Sequence, residues 1–554
     1  MVNVKNLFGM AVMATALVGC SSNDNLAPDG KDNVGKTGEA YASFTINLPT
    51  TRATRVAGEP TFAEGDAKEY EVKNGTILIF TNDGKFVTSA QLGNMNPWKD
   101  IKTDGVTTAA TATVQLTGVE VGGNYQALVL LNNDVDGAPS KVTLPTSGES
   151  YASWNAKAEN ATAAYTNIDY IFMANAPKYT GTSTEPTTLV PVANICASRE
   201  QAEAQPATTV YVERGLAKVT MQKFNADGYA IAAGTYEGGK VEIKAWQLDV
   251  TNKSTFPVHQ TDGLMTVWNQ IWNTGRFFDA TSSMFQRVYW GKDPNYSGGA
   301  LQDLAACKDA FNMITNDKVV GEAGIENPQY CRENTFDLAN MMQGQTTRVV
   351  FKAVFTPKDF VTGQTFYKIG NNTAIWNATN LAQQIKTVAL KAMNIVDDAE
   401  QAKYDVDLSK GTNISGKAGL HKITADNITF TGEGTSKVTE DVVNAINDKL
   451  GLKETGISTY LNGEAYYIAR IKHFNEMTPW NAGEAYGIEN GKYLGRYGVL
   501  RNNWYDLSVN SISGLGYPDV PEVKPNMPDD ENEQYINVEV KILDWAKRSQ
   551  NIDL

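Results

Sequence analysis

The sequence predicts an all-β protein built from β-sandwiches, and three observations point to this class. The chain of 554 residues is rich in aromatic residues that favour strands, with 24 Tyr, 19 Phe and 10 Trp. Short apolar segments alternate with polar residues along much of its length. The gaps between these segments contain turn residues, such as Asn82-Asp83-Gly84 and Val121-Gly122-Gly123-Asn124. Short strands at this spacing are typical of a sandwich, and the length suits roughly two to four domains.

The composition argues against several classes of function. The chain carries 48 Lys and Arg against 62 Asp and Glu, which gives a formal net charge of −14. This balance repels phosphate backbones, and no basic cluster reverses it locally, so we expect no nucleic-acid partner. Only 3 His are present, which leaves little scope for a histidine-built metal site or catalytic triad. We therefore expect no metal and no cofactor.

The N-terminus has the features of a bacterial lipoprotein signal peptide. Lys5 precedes an apolar stretch, residues 7–18, which is too short to span a bilayer but suits a signal-peptide core. The stretch ends in Leu17-Val18-Gly19-Cys20, which resembles the lipobox, whose cysteine is lipidated and becomes the first residue after cleavage. An ordinary buried cysteine is the alternative. The polar run as far as Glu39 predicts a flexible tether.

The first strand signal lies just beyond this tether, at Tyr41 to Leu48. Its apolar residues share one face, and they are Ala42, Phe44, Ile46 and Leu48. Pro49 ends the strand. The polar loop that follows contains Arg52 and Arg55, and an exposed loop with arginines invites cleavage by a trypsin-like protease.

Further strands are predicted in both halves of the chain, at residues 74–80, 85–87, 111–116, 125–131, 168–173, 208–214, 216–221, 240–248, 348–355, 466–471 and 503–509. The polar, alanine-rich connector 201–207 places a domain boundary just before Thr208. Helical periodicity at 302–314 and 439–450 predicts short helical insertions packed on a sandwich.

The C-terminus ends in another strong strand signal. The segment Pro518 to Gln534 holds four prolines among acidic residues, so we expect it to run extended without packing. After it comes a strand whose apolar residues share one face, and they are Ile536, Val538, Val540 and Ile542.

No catalytic pattern is present in the sequence. It lacks the nucleophile-elbow, zinc-protease, dinucleotide and phosphate-loop motifs, which argues against an enzyme. His473 follows a predicted strand and the nearby cations Arg470 and Lys472, and we expect it at the surface. The spacing of Cys196, Cys307 and Cys331 matches no zinc site. Two interpretations stay open: a disulfide between Cys307 and Cys331, or three buried free thiols. Buried free thiols are the preferred interpretation.

The first and last strands share the same four-position apolar pattern. The first is followed by a cleavable loop, and the last is preceded by a long linker. If the first strand were cut away, the groove that it leaves could accept the last strand of another copy by β-augmentation. Donor and acceptor lie at different places on the subunit, so such a contact would build an open filament. On pattern alone, both strands could equally well complete the protein's own sheets without any assembly.

Several motifs together carry a family resemblance. They are the lipobox ending in Cys20, the strand Tyr41 to Leu48 before an arginine, Val210 to Lys218, Arg332 to Thr335, Leu500 to Tyr505, Ile512 to Tyr517, and Val538 to Trp545. In these motifs the chain resembles the Mfa-type fimbrilins of Bacteroidales, which are the shaft subunits of type V pili. The resemblance spans nearly the whole chain and is most specific from Arg501 to the terminus.

The resemblance implies two tandem transthyretin-like Greek-key β-sandwich domains with short helical insertions and a C-terminal donor strand. The expected divisions are a signal peptide (1–19), a lipidated propeptide with the first strand (20–55), an N-terminal domain (56–207), a C-terminal domain (208–517), a linker (518–534) and the donor strand (535–554).

The resemblance also implies a maturation pathway. The precursor is expected at the outer membrane through its lipid, and an arginine-specific protease would cut it, with Arg55 preferred because Ala57-Gly58 follows it and Arg52 as a competing site. The partners would then be other copies of the chain, head to tail, with accessory tip and anchor subunits. The fimbrium at the cell surface would support adhesion and biofilm formation.

Two alternatives stay open from the sequence. A tip or accessory adhesin needs the groove but no donor strand, so the intact C-terminal strand favours a shaft subunit. A glycan-binding surface lipoprotein would use exposed aromatic side chains such as Trp98, Trp154, Trp268 and Trp272. Because Trp usually lies in sandwich cores, this second alternative is the less favoured one.

Overall fold

The computed structural model describes residues 39–49, 65–93, 99–103, 106–133, 142–157, 159–160, 168–179, 185–270, 277–278, 287–296, 301, 303–410, 412–413, 420–474, 488–529 and 536–543. Within these ranges most regular structure is β-strand, which confirms the predicted all-β class. No helix within them is long and apolar enough to cross a membrane.

The N-terminal unit is built around one large sheet. Its elements are β1 (Ala40–Pro49), α1 (Ala67–Tyr70), β2 (Gly75–Thr81), β3 (Phe86–Gln91), β4 (Lys99–Thr103), β5 (Val106–Leu116), β6 (Tyr125–Leu131), α2 (Tyr151–Asn155), β7 (Glu159–Asn160), β8 (Met173–Asn175), β9 (Val190–Pro191), α3 (Arg199–Ala204) and β10 (Thr208–Arg214). The main path of the sheet runs β3-β2-β6-β8-β10-β1-β5-β4, with β9 paired to β6. The predicted β2–β3 hairpin forms, and Gly84 takes the left-handed φ of 79° that its tight turn requires.

The C-terminal unit contains two four-stranded sheets. Its elements up to the middle of the unit are β11 (Ala217–Met221), β12 (Tyr229–Ala230), β13 (Lys240–Asp249), β14 (Thr251–Asn252), β15 (Ser254–Thr255), α4 (Leu264–Gln270), α5 (Leu304–Ala310), β16 (Phe311–Asn312), β17 (Gly324–Cys331) and β18 (Arg348–Thr356). Short 3-10 helices cover Asn316–Lys318 and Leu338–Asn340. The predicted helix at 302–314 is shorter than expected, because the chain leaves α5 to pair β16 with β14.

An α/β insertion interrupts this unit after β18. It comprises β19 (Phe366–Ile369), β20 (Ile375–Trp376), α6 (Ala378–Ala392), α7 (Asp398–Gln401), β21 (Tyr404–Val406), β22 (Thr412–Asn413), β23 (Leu420–Lys422), β24 (Ile428–Phe430), α8 (Glu440–Lys449), α9 (Leu452–Thr455) and β25 (Ile457–Tyr460), with a 3-10 turn at Ala425–Asn427. The predicted helix at 439–450 is confirmed as α8, whose first turn is capped by Thr439. The insertion has its own core, in which Leu381 and Ile385 of α6 and Ile446 of α8 are fully buried.

The chain returns to the C-terminal unit with its last strands. These are β26 (Glu464–Arg470), β27 (Trp504–Ile512) and β28 (Ile536–Leu543), with 3-10 turns at Leu461–Gly463 and Ile488–Tyr493. The sheets run β17-β11-β27-β28 and β12-β13-β18-β26. Their facing sides share one apolar core, to which Trp246, Phe351 and Tyr467 contribute fully buried side chains.

The passage between the two units lies later than we expected. We predicted that the second unit begins at Thr208, but β10 pairs with β1 and β8 of the first sheet. The change of sheet therefore falls between Arg214 and Ala217. The connector 201–207 misled the prediction because residues 201–204 of it form the end of α3, which packs on the first sheet.

The proline-rich segment before the last strand is packed rather than free. Val523 and Asp529 are buried, and the Gln343 N–H donates to the Met527 carbonyl at 2.9 Å. Thr346 Oγ1 donates to the Asp529 carboxylate at 2.9 Å. The expectation of an extended, unpacked linker is therefore wrong for residues 518–529, because their carbonyl and carboxylate groups find donors on the segment before β18.

Candidate assembly site

β1 occupies an interior position in the N-terminal sheet. It runs parallel to β10, with pairs from Phe44 and Thr208 to Asn47 and Tyr211. On its other side it runs antiparallel to β5, from the pair of Ala40 and Leu116 onward. The strand therefore has a backbone partner along each edge, and its absence would leave two strand edges unpaired.

The inner face of β1 is part of the core of this unit. All four predicted apolar residues are fully buried, and they are Ala42, Phe44, Ile46 and Leu48. They belong to one cluster with Ile77, Val129 and Val212 of other strands of the same sheet. Because these side chains alternate along one strand, they define four consecutive apolar positions in a groove between β5 and β10.

The outer face of β1 is partly covered by α3, which the sequence analysis did not predict. Ser43 is buried, and its hydroxyl donates to the Ala202 carbonyl at 2.9 Å and lies 2.7 Å from Thr113 Oγ1. Arg199 Nη1 donates to the Thr113 carbonyl at 2.9 Å. The guanidinium of Arg199 also lies 5.8 Å from the centre of the Tyr41 ring. The signal for α3 in the sequence is Ser198, whose side chain caps the helix by accepting from the Gln201 N–H.

The C-terminal strand lies on its own unit. β28 pairs antiparallel with β27, from the pair of Trp504 and Leu543 to that of Ile512 and Ile536. It forms the edge of its sheet and therefore has one strand neighbour. Among the four predicted apolar residues of this strand, the side chain of Val538 is described, and it is half-buried against the core of the C-terminal unit.

Three predicted modification positions lie outside the described residues. They are the lipidation site Cys20 and the cleavage sites Arg52 and Arg55. The described chain begins at Glu39, just before β1, and resumes at Gly65, just before α1. Lipidation and cleavage at these positions stay predictions.

A buried polar junction joins the two units, and motifs that are distant in the sequence meet in it. Lys218 Nζ lies 2.7 Å from Glu69 Oε1, and both side chains are almost fully buried. The Tyr330 hydroxyl also donates to Glu69, and Arg214 Nε donates to the Glu69 carbonyl at 2.8 Å. Burial alone would raise the pKa of Glu69, but the Lys218 charge and the hydrogen bonds from Lys218 and Tyr330 lower it below its usual value.

A second buried ion pair extends this junction. Arg501 Nε donates to Glu333 Oε2 at 2.9 Å, and Arg501 Nη2 contacts the other oxygen at 2.5 Å, which makes the pair bidentate. The neighbouring Asn502 accepts from Arg214 Nη1 at 3.2 Å. Three resemblance motifs, around Arg214, Glu333 and Arg501, thus converge on one junction, and β10, the neighbour of β1, ends in it. Their separation in sequence concealed this convergence.

His473 is buried, so the prediction of a surface histidine is wrong. Its Nδ1 lies 2.7 Å from the Tyr505 hydroxyl, and its Nε2 lies 2.8 Å from the Tyr289 carbonyl. A carbonyl only accepts, so Nε2 carries a proton. The cationic neighbours in the sequence suggested exposure, but the chain after β26 turns inward here.

The other candidate groups lie in the interior. Cys196, Cys307 and Cys331 are buried thiols that form no disulfide with one another, which confirms the preferred interpretation of the thiols. No group of side chains that could hold a metal ion occurs among the described residues. Trp154 and Trp268 are buried and cannot offer an open glycan platform, whereas Trp98 and Trp272 lie outside the described ranges.

Comparisons with known proteins bear on the C-terminal part of the chain. The family described as "Major fimbrial subunit protein type IV, Fimbrillin, C-terminal" matches residues 458–551, which include β27 and β28. No curated protein sequence matches the chain.

Two solved structures give distant likenesses. A candidate cell adhesion protein from Parabacteroides distasonis is 11% identical, with 92% of this chain and 99% of that chain covered and a TM-score of 0.38. A fimbrial assembly protein from the same species is 13% identical, with 58% of this chain and 96% of that chain covered and a TM-score of 0.24.

The family match falls in the region where the sequence motifs were most specific, from Arg501 to the terminus. Residues 458–551 of this chain are similar to the C-terminal fimbrillin family, which bears out the resemblance to fimbrilins that the sequence motifs carry.

Proposed function

We propose that the protein is a structural shaft subunit of a bacterial surface fimbria. It is exported as a lipoprotein through Cys20, cut after Arg55 or Arg52 by an arginine-specific protease, and polymerised when β28 of one copy replaces β1 of another. Its two main units are transthyretin-like sandwiches, and the finished fimbrium, with tip and anchor subunits, supports adhesion and biofilm formation.

The interior position of β1 is the observation that carries this proposal. Cleavage after Arg55 would leave β1 held to the sheet by non-covalent contacts alone. Phe44, Ile46 and Leu48 at about 1.5–3 kcal/mol each, with about 0.8 kcal/mol for the methyl group of Ala42, contribute roughly 5–10 kcal/mol before the two hydrogen-bonded edges are considered. A strand held this firmly leaves slowly on its own, so its departure requires a competing strand that fills the same positions.

The position of β28 supports its role as that competitor. In the isolated subunit it pairs with β27 alone, whereas in the groove of another copy it would pair with both β5 and β10. Its four apolar residues would also enter a complete core. For β28 the exchange gives up one paired edge and gains two, and it closes the groove that the departure of β1 opens. A tip subunit has no use for such a donor strand, so its presence favours a place in the shaft.

Controlled proteolysis of the purified chain tests the proposal. An arginine-specific protease should convert the monomer into a ladder of polymers. Size-exclusion chromatography and electron microscopy would detect these polymers. The variant Arg52→Lys/Arg55→Lys keeps both charges and should stay monomeric, and so should a cleaved chain that lacks residues 535–554. A cleaved wild-type chain that stays monomeric at high concentration would refute the proposal.

A further inference from the structure

The inner face of the groove cannot by itself set the direction of an incoming strand. The four apolar residues of β28 are evenly spaced, so they match the positions of Ala42 to Leu48 whether the strand runs as β1 does or in reverse. Information on direction must come from the outer face and the backbone edges.

The buried site of Ser43 distinguishes between the two directions. It offers the Ala202 carbonyl as an acceptor and the Thr113 hydroxyl as a second partner. If the donor runs as β1 does, Asn537 takes this place, and its amide can donate to the carbonyl and accept from the hydroxyl. A reversed strand would put Lys541 there, where burial beneath α3 in the space of a serine side chain would cost the ammonium much of its hydration.

The site of Tyr41 also distinguishes the two directions of the donor strand, and it favours the same direction as the site of Ser43. The Tyr41 ring lies beside Arg199, and its backbone N–H and carbonyl both pair with Cys196 at 2.9 Å. A donor in the direction of β1 brings Tyr535 to this position and restores an aromatic ring beside the guanidinium. A reversed donor brings Leu543, which has no ring to offer Arg199.

Slips of two residues in the same direction fit poorly. One slip puts Glu539 at the Ser43 site, where its carboxylate meets the Ala202 carbonyl, and Asp544 at the apolar position of Leu48. The opposite slip puts Gln534 at the fully buried position of Ala42. Only one register fills all four apolar positions and keeps a neutral polar side chain beneath α3.

The backbone edges agree with this direction. β1 pairs with β10 in the parallel sense and with β5 in the antiparallel sense, and the hydrogen-bond patterns of these two pairings differ. A donor that runs as β1 does restores both ladders.

We propose that α3 and β5 together form a register site for the incoming strand, which accepts Tyr535 in place of Tyr41 and Asn537 in place of Ser43. This inference rests on the proposed exchange of β1 for β28, and it specifies which donor residues contact which acceptor residues. The donor lies parallel to β10, and α3 closes over it as it closes over β1.

Cross-linking between two variants that each carry one added cysteine tests the register. Ser43 and Thr113 are paired across β1 and β5, so Asn537 of the donor should face Thr113 of the acceptor. We would mix Thr113→Cys chains with Asn537→Cys chains, cleave, polymerise and oxidise them. Denaturing non-reducing gels should show covalent dimers, above the background of the parent chain with its buried native thiols. The matched control replaces Asn537→Cys by Lys541→Cys and should give no dimers.

The outcomes separate the register from the exchange itself. Dimers with Lys541→Cys instead of Asn537→Cys would overturn the inference, because they require a reversed donor. Polymers without either cross-link would overturn it as well, since the register would then differ. Both results leave the proposed function standing, whereas a parent chain that forms no polymer contradicts the function.

A rate measurement adds a second readout. Asn537→Glu should slow the assembly of cleaved chains by roughly tenfold or more, because it places a carboxylate against the Ala202 carbonyl. Glu539→Gln, at the next outward position, which corresponds to the half-buried Thr45, should change the rate by less than about twofold, because it adds no charge. Equal slowing by both changes would contradict a selective site at Asn537.

Discussion

The variant Phe44→Ala tests whether β1 leaves the N-terminal sheet and β28 of another copy takes its place. Phe44 is fully buried in the core of the N-terminal unit, and a Phe-to-Ala change in a core costs about 3–5 kcal/mol. The uncleaved chain should lose about this much free energy of unfolding, as measured by chemical denaturation. After cleavage, the same loss weakens the hold on β1 alone. Since about 1.4 kcal/mol corresponds to a factor of ten, release of β1 should become at least about a hundredfold faster when release limits assembly.

The finished polymer should not respond to this change, because Phe44 is no longer part of it. Wild-type and Phe44→Ala polymers should therefore dissociate at the same denaturant concentration. Phe351→Ala is the matched control, since Phe351 is fully buried in the C-terminal unit in both states and should weaken precursor and polymer alike. A polymer weakened by Phe44→Ala as much as the precursor would refute the reasoning, because β1 would then still be in place.

Three further changes test the junction and the insertion. The folded-state pKa of Glu69 is lowered, so its contribution to the free energy of unfolding is present above the usual glutamate pKa of about 4.3 and is lost as the pH falls through the folded value. Chemical denaturation between pH 6 and 3 should therefore show that Glu69→Gln loses less free energy of unfolding on acidification than wild type. An equal loss in both proteins would contradict the lowered pKa. Arg501→Ala leaves Glu333 buried without its partner and should lower the free energy of unfolding by about 3–5 kcal/mol, whereas a loss below about 1 kcal/mol would show that the pair is not buried in solution. Ile385→Ala should weaken the insertion by about 2–5 kcal/mol, seen as faster hydrogen exchange in α6 and α8, with an unchanged assembly rate, because its core is separate from the groove.

The elements that the sequence predicted well carry their signal locally. β1 is identified by its own alternation, and its inner face is buried as the pattern requires. α8 is identified by its cap at Thr439 and its periodic apolar residues. In such segments the burial of one face decides the structure, and that face is visible in a window of ten residues.

The features that escaped prediction depend on contacts between distant segments. α3 is a short helix whose importance comes from Ser43, far away in the sequence. The junction of Glu69, Lys218 and Arg501 needs three segments to meet, and no spacing in the sequence reports this. His473 looked exposed beside its cationic neighbours, but Tyr505 and Tyr289 supply buried partners. Tertiary hydrogen bonds of this kind override local polarity.

The composition of the washed polymer tests the exchange most directly. Polymers formed from cleaved chains would be separated from free peptide, denatured and quantified by mass spectrometry. Peptides from residues 40–49 should be absent, while peptides from 536–543 should be present at one per subunit. Retention of residues 40–49 at one copy per subunit would show that no groove was vacated, and the account of assembly would be wrong.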